Sequence, residues 1–116
     1  LAELRLSAMK LGFKIDSSNA MKGIFKNDQS DLASYQLRNT TFIKQGQFVR
    51  EGDAMYLYDP ASLKFDQNFL NIEEKINQLP RSVLEIIFFE SNIAILWNEK
   101  LGIEELKKIY HSINKI

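Results

Sequence analysis

The chain has no cysteine, which together excludes a disulfide framework, a thiolate zinc site and a cysteine nucleophile. It has a single histidine, His111, and no net charge, since fifteen basic residues balance fifteen acidic ones. From Met21 onward the balance is twelve against thirteen, so no strong field steers the protein to nucleic acid or anionic lipid. Long apolar runs are missing too. The most hydrophobic stretch, Ser82 to Trp97, is broken by Glu85, Glu90, Ser91 and Asn92, whereas a membrane span needs about twenty predominantly apolar residues. It reads as core. The leading residues Leu1 to Ile15 carry Glu3, Arg5, Lys10 and Lys14 among their leucines and lack the apolar centre of a secretory signal. A cytoplasmic setting is expected, and the Lys, Ile and Asn bias has a bacterial flavour.

What is present is enough for one core. A chain of 116 residues, 45% of them apolar, can bury roughly two-thirds of its unfolded surface. One tetrapeptide divides it. Ser18-Asn19-Ala20-Met21 reads as the scar left when a tag is cut away before a cloned initiator methionine, which makes residues 18–20 a cloning remnant and 21–116 one α+β domain. Residues 1–17 then read as an amphipathic segment fused ahead of it, a partner peptide. The other reading, one continuous native chain, stays open.

Leu1, Leu4, Ala8 and Leu11 recur at helical spacing with Gly12 as a stop, predicting a three-turn amphipathic helix, after which Phe13 and Ile15 look extended. Ser17 to Ser34 turns polar and is the linker candidate. Tyr35 to Ile43 and Gln47 to Tyr58 are rich in Tyr, Phe, Thr and Val and are broken by Gln45-Gly46 and Glu51-Gly52-Asp53, predicting antiparallel strands that end at Asp59-Pro60. Phe65, Phe69, Ile72, Ile76 and Leu79 then step as one helical stripe closed by Pro80. Val83 to Phe89 and Ile93 to Trp97 predict a hairpin across Glu90-Ser91-Asn92. Ile103, Leu106, Ile109, Tyr110 and Ile113 predict a last helix, with Glu104 and Glu105 in its first turn and Lys115 in its last. Ala54 to Asp59 and Ile93 to Asn98, each followed by a helix, suggest a ββα duplication. The expected fold is α+β: an antiparallel sheet of four to five strands, two helices on one face and an N-terminal amphipathic helix.

Catalytic patterns are sparse. His111 falls on the polar side of the last helix with Glu104, Lys107, Lys108 and Lys115, and no ligand spacing surrounds it. Asp53, Asp59, Asp66, Glu73 and Glu74 form no spaced pair, and the isolated glycines at 46 and 52 make no phosphate loop. No enzyme, no metal and no cofactor are expected. Tyr35, Phe42, Phe48, Tyr56 and Tyr58 interleave with Arg38, Lys44 and Arg50, a pattern that suits base stacking or, on a neutral body, a protein contact. Strict alternation sets Tyr56 and Tyr58 opposite Met55 and Leu57.

The order helix, three-stranded part, helix, hairpin, helix resembles the class of bacterial secretion chaperones, which implies a surface holding an extended effector segment. Ala54-Met55-Tyr56-Leu57-Tyr58-Asp59-Pro60-Ala61-Ser62-Leu63 is similar to the strand-Asp-Pro-x-x-Leu step in the N-terminal domains of type II secretion and type IV pilus ATPases. Homing endonucleases share the alternation of helices and hairpins, but their acid-ended helix motif is absent.

The expected function is a non-enzymatic protein-binding module, a secretion-machine component, chaperone or adaptor that docks an amphipathic or extended partner segment. An antitoxin or immunity protein and a single-stranded nucleic-acid binder are the alternatives. The candidate partner-binding residues are Leu1, Leu4, Ala8, Leu11, Phe13 and Ile15 on the segment, and Tyr35, Phe42, Phe48, Tyr56 and Tyr58 on the domain.

Overall fold

A computed structural model describes residues 1–15, 23–27 and 31–116. Helix α1 (Ala2–Lys10) opens the chain, and Gly12 at φ 103 turns it into β1 (Lys14–Ile15). Strands β2 (Ala33–Arg38), β3 (Gly46–Glu51) and β4 (Ala54–Asp59) follow, then a 3-10 turn at Ala61–Phe65 and α2 (Phe69–Ile76). Strands β5 (Val83–Phe88) and β6 (Asn92–Trp97), a 3-10 turn at Glu99–Leu101 and α3 (Ile103–Asn114) complete the described elements. All pairings are antiparallel, and the sheet runs β1-β2-β6-β5-β3-β4.

The β-rich runs behave as their side chains require. β5 and β6 lie in the middle of the sheet and are apolar on both faces. Ile86, Phe88, Ile93, Ile95 and Trp97 point to the helices, while Ile87, Ala94 and Leu96 point to the other side. The hairpin of β3 and β4 turns through Gly52-Asp53, where Gly52 at φ 63 supplies the one positive φ that a type II′ turn needs, at its first central position. Two units of hairpin, 3-10 turn and helix thus recur, joined through β3 and β5 at the centre of the four strands β6-β5-β3-β4.

One core takes up the apolar stripes of all three helices: Leu4 and Ala8 from α1, Ile72 and Ile76 from α2, and Leu106, Ile109 and Ile113 from α3. The class is the expected α+β, but the described sheet has six strands rather than four to five, because Lys14–Ile15, in the stretch expected to be extended, joins it as an edge strand. Three other expectations are corrected. The helical stripe does not start at Phe65, which is 90% exposed. Asp66 has extended backbone and its carboxylate accepts the Asn68 N–H at 2.8 Å, a local turn that separates the 3-10 segment from α2. The strand from Tyr35 stops at Arg38, since the buried Asn39 amide donates to the carbonyls of Ile43 and Phe89, both at 2.7 Å, and folds the next residues into a loop. The polar stretch 17–34 is only partly a linker. Its residues 17–22 and 28–30 lie outside the described ones, but Phe25 and Leu32 are buried, and Ala33 and Ser34 already belong to β2.

Phe25 forms a second layer. Residues 23–27 cross the sheet face away from the helices, with Phe25 against Leu32, Ile87, Ala94 and Leu96. A register shift between Val83 and Glu85 sends Glu85 to that face, where it is fully buried. Its carboxylate accepts the backbone N–H of Lys26 at 2.9 Å, the backbone N–H of Asn27, and the Gln47 side-chain amide at 3.0 Å. Three donors replace the water that a buried carboxylate loses. This acid therefore straps 23–27 to the sheet.

Candidate functional site

Residues 1–15 meet the rest of the fold through both a helix and a strand. α1 packs on α3, and β1 pairs with β2 in the register Lys14 to Gln36 and Ile15 to Tyr35. Phe13 is 2% exposed. Its ring lies 6.0 Å from Tyr35 and 5.9 Å from Tyr110, the latter edge to face, so one aromatic side chain bridges the sheet and α3. Leu4 and the fully buried Ala8 complete the apolar contact, with Leu11 and Ile15 packed at its border. Leu1 does not take part, being 69% exposed.

Beside this apolar contact lies a polar one. Arg5 Nε donates to Glu99 Oε2 and Arg5 Nη2 to Glu99 Oε1, both at 2.9 Å, a fork-to-fork pair. Tyr35 Oη donates to the same Oε2 at 2.6 Å. The hydrogen bonds from Arg5, reinforced by that from Tyr35, hold the Glu99 carboxyl below its usual range although burial opposes them. Burial first, and then the bond to Glu99, push the Tyr35 hydroxyl well above its ordinary range, so it remains a donor. Glu99 is presented by the 3-10 turn after β6, where the Asn98 carboxamide oxygen accepts the Lys100 N–H at 3.0 Å and fixes the turn.

Of the domain residues expected at a binding surface, Tyr35 and Phe48 are fully buried. Tyr35 stands edge to face with Trp97 at 5.3 Å, and Phe48 with Phe88 at 6.2 Å. Alternation places both on the helix-covered face, so neither presents a free ring, although the Tyr35 hydroxyl reaches the α1 seat. Phe42, Tyr56 and Tyr58 are exposed, at 49%, 51% and 54%. They do not form one platform with the α1 seat: Tyr56 and Tyr58 lie on β4, at the opposite edge of the sheet from β1. Lys26 stands 5.4 Å over the Tyr58 ring and 3.4 Å from Glu51. Neither Arg5 nor Glu99 was expected at a binding surface, because isolated charges carry no spacing signal; Tyr110 was expected only in the stripe of α3, and Glu85 only as a break in an apolar run.

His111 is exposed on α3, and among the described residues no group of three or more His, Asp or Glu is placed to hold a metal. No described helix is long and apolar enough to cross a membrane. The comparisons with protein-family models, curated proteins and solved structures give no match for this chain.

Proposed function

We propose that residues 21–116 are a non-enzymatic protein-binding module of adaptor or chaperone type that receives a helix-then-strand segment, and that residues 1–17 represent such a segment. The observation that carries this reading is the double mode of attachment: an apolar helix face on α3, and an added strand on the edge of β2. These are two recurring ways of capturing a peptide, used here end to end. The receiving surface is made by β2, β6, the 3-10 turn and α3; β2 pairs with β6 and β6 with β5, and Leu106, Ile109 and Ile113 anchor α3 in the core.

The magnitudes suit reversible capture. Burial of Leu4 and Phe13 is worth about 1.5–3 kcal/mol each, and Ala8 adds about 1 kcal/mol. About 4–7 kcal/mol before ordering costs corresponds to a weak complex, micromolar at best. The test is to place a protease site between Ile15 and Gly23 and cut the folded protein. The reading expects the body to keep its circular dichroism and its cooperative transition, and the released peptide to dissociate on dilution and to rebind saturably. Irreversible loss of the fold on cutting would show instead that all the elements form one obligate domain.

A further inference from the structure

Every apolar contact of α1 could be made by many amphipathic helices, since leucine and alanine stripes are common. The polar contact is more selective. Glu99 is mostly buried, with a side chain 12% exposed, and Arg5 is the cation that meets it. Its carboxylate has two oxygens to satisfy. Tyr35, fully buried and braced against Trp97, donates to one of them and holds the carboxyl plane in place, leaving both oxygens turned to the α1 side. The Tyr35 phenol itself needs an acceptor, and Glu99 supplies it, both partners lying in residues 21–116. Without a partner, that carboxylate faces the seat with the Tyr35 hydrogen bond and, among the described residues 23–27 and 31–116, no cation paired to it. A planar fork answers both oxygens at once, whereas an ammonium is a point charge that answers one.

We propose that Tyr35 and Glu99 form a receptor for a single arginine, so that the segments this module captures carry an arginine next to the first buried aliphatic residue of the helix. This rests on the docking reading above and adds the chemistry of the partner. The rest of the pattern follows from the seat. A small residue is needed three positions after the arginine, because Ala8 is fully buried against the body. A glycine is needed seven positions after it, because Gly12 has φ 103, where a side chain is strained even though the space is open. An aromatic residue must follow at once, to reach the cleft between Tyr35 and Tyr110. The recognised segment is thus aliphatic, Arg, two free positions, small, two free positions, aliphatic, Gly, aromatic.

The experiment uses the intact chain and native-state amide hydrogen exchange. The reporters are the amides of α1 and of Phe13, which donates to the Ala8 carbonyl at 3.0 Å, read against the amides of β5 and β6. Four variants are compared: Arg5→Lys, Arg5→Ala, Glu99→Gln and Tyr35→Phe. Arg5→Lys is expected to raise the opening of α1 about ten-fold and Arg5→Ala about thirty-fold, with β5 and β6 protection unchanged. In the Glu99→Gln background the difference between Arg and Lys should shrink to less than about three-fold, and Tyr35→Phe should reduce it in the same direction, an effect that packing alone does not produce. If Arg5→Lys changes the opening less than about two-fold, or by the same factor with and without the Glu99 carboxylate, the arginine receptor is refuted while docking survives. If α1 exchanges only with the whole molecule, docking fails and the receptor falls with it.

Discussion

Replacing Glu85 by alanine removes the acceptor of three N–H groups, those of Lys26, Asn27 and the Gln47 side chain. Hydrogen bonds to a charged group are worth about 1.5–3 kcal/mol each, which naively sums to about 5–9 kcal/mol. The strap sets a lower ceiling. Once its amides lose their acceptor, residues 23–27 can leave the sheet and hydrate, so the loss stops at the free energy that holds the strap down. That free energy is the burial of Phe25, about 2–3 kcal/mol, plus a net hydrogen-bond contribution of about 1–2 kcal/mol. We therefore expect about 3–5 kcal/mol for Glu85→Ala, a similar loss for Phe25→Ala, and about the same 3–5 kcal/mol for the double variant rather than their sum. Urea unfolding at neutral pH, followed by the midpoints of the wild type, both single variants and the double, measures all three quantities. A loss under about 1 kcal/mol for Glu85→Ala, or losses that add to within about 0.5 kcal/mol in the double, would refute the claim that one buried carboxylate and one phenylalanine hold the same segment.

Two further expectations concern other contacts. Because Arg5 and Tyr35 hold the Glu99 carboxyl below its ordinary value of 4.5, its contribution to stability is fully present above that pH and is lost as the pH falls through the lower folded value. The urea midpoint of the wild type should therefore drop more steeply than that of Glu99→Gln as the pH falls below 4.5, and parallel curves would count against the pair. At the other edge of the sheet, the Asn77 carboxamide accepts the Met55 N–H at 2.8 Å and donates to the Met55 carbonyl at 3.2 Å, occupying backbone groups that a further strand would otherwise seek. Asn77→Ala should cost about 1–3 kcal/mol and make light scattering rise with protein concentration, and a variant as stable and as monodisperse as the wild type would contradict this role.

Much of the architecture is legible from pattern alone. Alternation in β4 separates Tyr56 from Met55, and the 3.6-residue period of α3 selects Leu106, Ile109 and Ile113 for the core. These signals are local and repeat, so they survive without knowledge of neighbours. The misreadings occur where a single side chain overrides the pattern. The Asp66 turn cuts short a helical stripe that its apolar spacing supports, and the Asn39 amide ends a strand whose composition would extend it.

The order of the strands, by contrast, was never in the local pattern. Periodicity tells which face of a strand is buried, not which strand lies beside it, and it took the pairing of β2 with β6 and of β3 with β5 to bring distant segments together. Those pairings set Glu99 within reach of Arg5, 94 residues away, and Glu85 beneath Lys26, 59 residues away. Composition and periodicity determined by themselves that this chain folds around one core as an α+β sheet protein whose α2 and α3 are amphipathic, because burial of apolar surface acts on every turn and strand. Only the tertiary structure decided where its acids find their partners, because a lone carboxylate takes its role from whichever donors the fold brings to it.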